Sequence, residues 1–157
     1  MRFLVPFLSA ILFALPAFAG DDLTARDGWS VVQTNKTFST LVKDTRTAVK
    51  ANGMIVVTQA GPTAAAKKRG ITIPGNRIIG IFNNDYAVKT LATSTAAMIE
   101  APIRLYVTEN EDGTATLSYK TPTAVFAPYA NEGGAALAAI AAELDQLFAK
   151  IAADANT

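Results

Sequence analysis

Residues 102–108, Pro-Ile-Arg-Leu-Tyr-Val-Thr, open the most sharply patterned part of the chain, which runs on to Lys120 as PIRLYVTENEDGTATLSYK. Ile103, Leu105 and Val107 alternate with Arg104, Tyr106 and Thr108. This is the period of two that a strand shows when one face is buried and the other is more polar. Asn110-Glu111-Asp112-Gly113 is turn chemistry, and Thr114–Tyr119 resumes an extended pattern. The segment therefore reads as a β-hairpin, whose two strands are antiparallel by construction.

The C-terminal side of this hairpin changes period. Pro122 and Pro128 bound a stretch read as a loop. Leu137, Ile140, Leu144, Leu147 and Ile151 then recur at alternating steps of three and four, the apolar stripe of a long amphipathic helix. Gly133-Gly134 precede that stripe, and Asn131 or Glu132 can help start it. Toward the N-terminus, Trp29–Thr34 reads as a strand. Thr37 then caps a helix carried by Phe38, Leu41, Val42, Thr45, Ala48 and Val49, which stops at Gly53. Met54–Gln59 is a second strand, Thr63–Arg69 a short helix, and Arg77–Phe82 a third strand with a close approach or bulge at Gly80. Asp85–Met98 reads as a helix weakened by Thr93, Ser94 and Thr95.

Strands and helices do not alternate throughout, so a doubly wound parallel fold is disfavoured. The expectation is a two-layer α+β domain over residues 29–154. Its sheet is mainly antiparallel, and its helices lie on one face. Residues 20–28 are polar and read as a loose lead-in.

Composition narrows the chemistry. The chain has 157 residues, 50% hydrophobic and 17% charged, with a net charge of +1 and neither cysteine nor histidine. That excludes disulfides, thiolate nucleophiles, Cys/His zinc sites, covalent c-type haem and any triad built on imidazole. A nucleic-acid-binding protein would carry a basic excess, which is missing. No cofactor is expected.

Residues 1–19 carry one charge, Arg2, followed by an apolar run from Phe3 to Phe18 and a small-x-small ending at Ala17-Phe18-Ala19. This order is that of a secretory signal peptide, and the run is short for a membrane anchor. Cleavage near Ala19 removes Arg2 and leaves 13 acidic residues balanced by as many basic ones. The expectation is a periplasmic or secreted protein with no membrane attachment after cleavage.

Several segments are similar to one known family. Arg77-Ile78-Ile79-Gly80-Ile81-Phe82-Asn83-Asn84 resembles the strand and Gly-Asn-Pro turn of the domain of unknown function 302 family. Glu100–Val107 resembles its Leu-Pro strand opening, Glu109–Gly113 its acidic turn, and Ser118–Pro122 its Tyr-x-x-Pro end. Asn83 stands where that turn has its glycine, Asp85 where it has its proline, and Ala101 where the strand opening has its leucine. The resemblance implies a fold like that of the TATA-box-binding protein: strand, helix, four strands, helix, with short helices inserted. It also implies homodimers. It supplies no reaction and no catalytic residue, and likeness of fold carries no DNA binding with it.

The candidate ligand residues are Asn83, Asn84, Asp85, Tyr86, Arg104 and Tyr119. Asn83-Asn84-Asp85-Tyr86 follows a strand and opens a helix, where backbone N–H groups can hold a small polar ligand or where the Asn simply caps the helix. Arg104, Tyr106 and Thr108, with Thr116, Ser118 and Lys120 across from them, form the outward face of the hairpin. That face suits an anion, a partner strand, a dimer contact or plain solvent. Tyr119 points to the opposite side, either into a pocket between sheet and helix or into the core. Glu100, Glu109 and Asp85 are carboxylates that no spacing brings together, and no Asp-x-Asp-x-Asp-Gly loop is present to bind calcium. Lys67-Lys68-Arg69 reads as a solvated helix end, and Trp29 and Phe38 as core or staple residues.

Three functional readings follow. The first is a non-enzymatic module that binds a small ligand or a protein. The second is an enzyme working through Tyr119, Glu109, Arg104 and Asp85. The third is a carrier of an apolar ligand, or of haem held by Tyr or Met, between helix and sheet.

Overall fold

The structure, a computed structural model, describes residues 23–157. The signal peptide read at residues 1–19 lies outside the described residues. The strands are β1 (Trp29–Thr34), β2 (Ile55–Ala60), β3 (Asn76–Phe82), β4 (Ile103–Glu109) and β5 (Ala115–Lys120). The helices are α1 (Phe38–Ala51), α2 (Thr63–Lys68), α3 (Asn84–Thr93), α4 (Pro122–Phe126) and α5 (Ala130–Asn156). Two 3₁₀ turns, Ala97–Glu100 and Ala127–Tyr129, precede β4 and α5. The strands form one sheet in the order β1-β5-β4-β3-β2, every neighbouring pair antiparallel. This is the α+β, two-layer architecture read from the sequence, in strand-helix-four-strand-helix order with short helices inserted.

Local chemistry sets the element ends. The Thr37 hydroxyl accepts from the Thr40 N–H and caps α1. Asn83 caps α3, which ends at Thr93. The helix expected to run on to Met98 is thus broken at Ser94, whose hydroxyl accepts from the Ala97 N–H and starts the 3₁₀ turn. The stretch read as a loop between Pro122 and Pro128 is α4 instead. Thr121 is its cap and Pro122 occupies its first turn, where a missing N–H costs nothing. α5 is interrupted at Gly134, whose φ of 53° lies in the left-handed region that glycine alone enters cheaply. The continuous apolar stripe starts just beyond it.

The core lies between the sheet and the pair α1 and α5. From the sheet come Ile79, Ile81, Leu105, Val107 and Leu117. From the helices come Leu41, Val49, Leu137, Leu144, Phe148 and Ile151, all buried. Phe148 is fully buried and meets the Tyr119 ring at 5.4 Å between centroids, tilted by 56°. α1 and α5 are also tied at their ends. Lys36 Nζ donates to Asp44 at 2.7 Å and to the Ala155 carbonyl at 2.9 Å, and Asn52 donates to Asp154 at 2.8 Å.

Truncating Phe148 leaves a ring-sized void beneath the centre of the sheet. Phe148→Ala is expected to lower stability by about 3–5 kcal/mol, read as a shift in the urea midpoint. A loss well below 1 kcal/mol shows that α5 does not seal this layer.

Candidate functional site

The second face of the sheet has no helix over it among the described residues. The register fixes what it presents. Lys120 lies opposite Trp29, Ser118 between Val31 and Tyr106, Tyr106 opposite Ile78, and Arg104 opposite Gly80. One step beyond the Leu105–Tyr119 pair, the same register sets Arg104 beside Lys120. Trp29, Lys120, Arg104 and Gly80 therefore form one row across the sheet, and Val31, Ser118, Tyr106 and Ile78 the next.

Gly80 has room for nothing larger, since a Cβ there would collide with the Thr58 hydroxyl and the Pro102 ring. The Trp29 ring carries Arg26 at 5.4 Å and Lys120 at 6.0 Å, both cation–π contacts. Asn76 donates a side-chain hydrogen bond to the Tyr106 hydroxyl, which orients that ring. Thr116 and Ser118 are small enough to be buried between larger neighbours even on this outward face.

These rows border a groove of about 490 Å³. It runs from the open face, over Trp29, Ile78, Tyr106, Arg104 and Lys120, around the end where β4 begins and β5 finishes. There Ile103, Tyr119 and Val125 close it, with Glu100 beside them. The Glu100 carboxylate accepts from the Tyr129 hydroxyl at 2.7 Å. That bond comes first among the causes that raise the Tyr129 phenol above its ordinary range, ahead of burial and the charges of Glu100 and Glu132.

The residues singled out from the sequence fall in different places. Arg104 and Tyr119 both line the groove, Arg104 exposed on the open face and Tyr119 buried at its end. Asn83, Asn84, Asp85 and Tyr86 lie apart from it, at the start of α3. Asn83 accepts from the Asp85 and Tyr86 N–H groups at 2.9 and 3.3 Å, and its amide donates to the Gly53 carbonyl at 3.0 Å. Its polar atoms are thus spent on capping α3 and fastening it to the turn before β2. Tyr86 packs against the core with Lys89 over its ring. Asn83 and Tyr86 border a crevice of about 30 Å³ between α3 and the core, the liquid volume of one water.

Glu109 sits at the far end of β4 and accepts from the Gly75 N–H at 2.6 Å. Of the possible enzymatic set, Arg104 and Tyr119 share the groove, whereas Asp85 and Glu109 lie away from it. Among the described residues no cluster of acidic side chains could hold a metal ion, and no helix is long and apolar enough to cross a membrane.

The family model for the domain of unknown function DUF302 matches residues 30–155. The chain belongs to the DUF302 family. Among solved structures it is similar to the crystal structure of an uncharacterized conserved DUF302 protein from Bacillus stearothermophilus. The TM-score is 0.72 and the identity 19%, covering 82% of this chain and 98% of that one. At that identity the likeness is one of fold. No curated protein matches the chain.

In this DUF302 chain, Trp29 is the groove residue that sequence reasoning misplaced. It was expected in the core or as a staple, but it stands half-exposed on the open face. Trp29-Ser30-Val31-Val32-Gln33-Thr34 is apolar on both of its alternate faces, so period two alone does not say which face is buried. The pairing of Trp29 with Lys120 says it, and that pairing spans most of the chain.

Tyr119 offers a direct test of the buried end of the groove. Burial raises its phenol above the ordinary value of 10.0, opposed by a hydrogen bond with Ser30. The unfolded chain therefore gives up this proton at lower pH than the folded one, and Tyr119 makes stability fall as pH rises above 10.0. Tyr119→Phe is expected to flatten the alkaline limb of the stability curve. It also removes a component of the phenolate absorbance that titrates above the ordinary tyrosine range. An unchanged limb and titration place the Tyr119 hydroxyl in solvent.

Proposed function

We propose that this DUF302 chain is an exported, non-enzymatic binding module whose open-face groove takes a small, largely apolar ligand. One observation carries the reading. A sheet face bearing Trp29, Val31, Tyr106 and Ile78 has no covering layer among the described residues, and the groove on it has the volume of a small-molecule site. Asp85 and Glu109 lie away from the groove that Arg104 and Tyr119 share, and this separation supports binding over catalysis by that set. Export rests on the basic-apolar-small order of residues 1–19.

Trp29 is the chain's single tryptophan and lines the groove, so its emission reports on the site itself. N-phenyl-1-naphthylamine, a neutral apolar fluorophore, is expected to quench Trp29 saturably. Ile78 is exposed enough to replace without disturbing the core. Ile78→Gln is expected to weaken that quenching about fivefold by removing apolar contact. Absence of saturable quenching, or indifference to Ile78→Gln, sinks the groove as a binding site.

A second copy of the chain is the other partner, and the outer edge of β2 favours it. Ile55-Val56-Val57-Thr58-Gln59-Ala60 has no charge and no proline, and Ile55 and Val57 are 57% and 45% exposed. An edge strand of this composition presents unpaired backbone groups to another strand with no charge to repel it, interrupted by one bulge between Val56 and Thr58. Intact-mass analysis with light scattering on protein secreted by its host is expected to give a chain starting at Gly20 and a particle of twice its mass. A retained N-terminus refutes export, and a particle of one chain's mass refutes the dimer.

A further inference from the structure

Resting on the groove as a binding site, we infer that its occupant is a small amphipathic carboxylate: an apolar body over Trp29, Tyr106 and Ile78, with its carboxylate between Arg104 and Lys120. The open face is not neutral, although the chain nearly is. Its strand residues include two cations, Arg104 and Lys120, and no acid. The register sets these two cations side by side on adjacent strands. Like charges placed so repel each other and weaken a sheet, and cross-strand partners of opposite sign are the stabilising choice.

Among the described residues the ion pairs are Lys36–Asp44 and Lys150–Asp154, so neither groove cation is matched by a carboxylate. The one acid of the groove lining, Glu100, accepts from Tyr129 and keeps its negative charge, so the two cations leave the lining with a net charge of about +1. Two adjacent unmatched cations at the border of an apolar trough fit a single organic anion. The Arg104 guanidinium can hold its two oxygens as a fork, and the Lys120 ammonium supplies a point charge beside it.

Size limits the body. At about 30 Å³ per heavy atom of liquid, a groove of about 490 Å³ holds roughly sixteen non-hydrogen atoms. The same charge disposition opposes a second copy packed with its Arg104–Lys120 row directly over this one.

The test is displacement of N-phenyl-1-naphthylamine from the purified full chain, read at Trp29. The competitors are dodecanoate and dodecan-1-ol, which share a twelve-carbon tail and differ in charge. Dodecanoate is expected to displace the probe at a concentration about tenfold below that of dodecan-1-ol. The ratio should shrink as ionic strength rises. Arg104 and Lys120 are both exposed, so Arg104→Gln with Lys120→Gln leaves the core alone. That double variant should abolish most of the preference, read as the ratio of the two competitors' displacement within the same variant so that any change in probe affinity cancels. Equal displacement by the two competitors, or a preference that survives the double variant, overturns the carboxylate while the groove stands. If the neutral probe never quenches Trp29, the groove falls and this inference with it.

Discussion

A β-sheet has two faces, and the described chain covers one of them. The apolar stripe of α5, with Leu41 and Val49 of α1, seals Ile79, Leu105, Val107 and Leu117 from water. The Tyr119–Phe148 contact lies in that seal. With no cysteine available to cross-link the chain, burial on this side has to supply the stability. Because strand side chains alternate, fixing one face fixes the other: every residue between two core positions is delivered to the open side. The groove is therefore a by-product of the same register that makes the core, and it cannot slip without unpacking α5.

The charges on that open side then decide what can rest there. An uncovered apolar sheet is a general invitation to associate, and Arg104 and Lys120 narrow it. Laying one such row directly on another is opposed by like charge, whereas a negative group beside it is favoured. The uncharged outer edge of β2 has no such filter. The two surfaces thus suit different partners, and occupying one leaves the other free, because β2 lies at the border of the sheet and the row from Trp29 to Arg104 belongs to its other half.

Much of this architecture was legible before any coordinates. Alternation in Ile103–Thr108, the turn at Asn110–Gly113 and the three-four spacing from Leu137 to Ile151 are local signals, and each names its element directly. α4 was missed because Pro122 and Pro128 were read as breakers, when Pro122 occupies a first helical turn capped by Thr121. The outward hairpin residues were placed on the right face, and Arg104 was among the site candidates. The groove was not legible as a groove. It requires Trp29, Lys120, Arg104 and Ile78 in neighbouring rows, a juxtaposition created by pairing β1 with β5 and β3 with β4. No window of sequence contains it. Asn83-Asn84-Asp85-Tyr86 drew notice because Asn and Asp look alike as helix caps and as ligand groups, and only the hydrogen bonds to Asp85, Tyr86 and Gly53 separate the two uses.

Fold and binding are thereby carried by different residues of the same strands. In β4, Leu105 and Val107 hold the core while Arg104 and Tyr106 line the groove, and in β3 Ile79 and Ile81 do the first task while Ile78 does the second. A change of ligand needs substitutions only at the outward positions, where the fold has little at stake. A fold shared at 19% identity is what such a division permits: apolar spacing on the inward positions suffices to rebuild the sheet and its helices. It follows that likeness of fold leaves the outward row holding Arg104 and Lys120 free to differ from chain to chain, in charge as well as in shape.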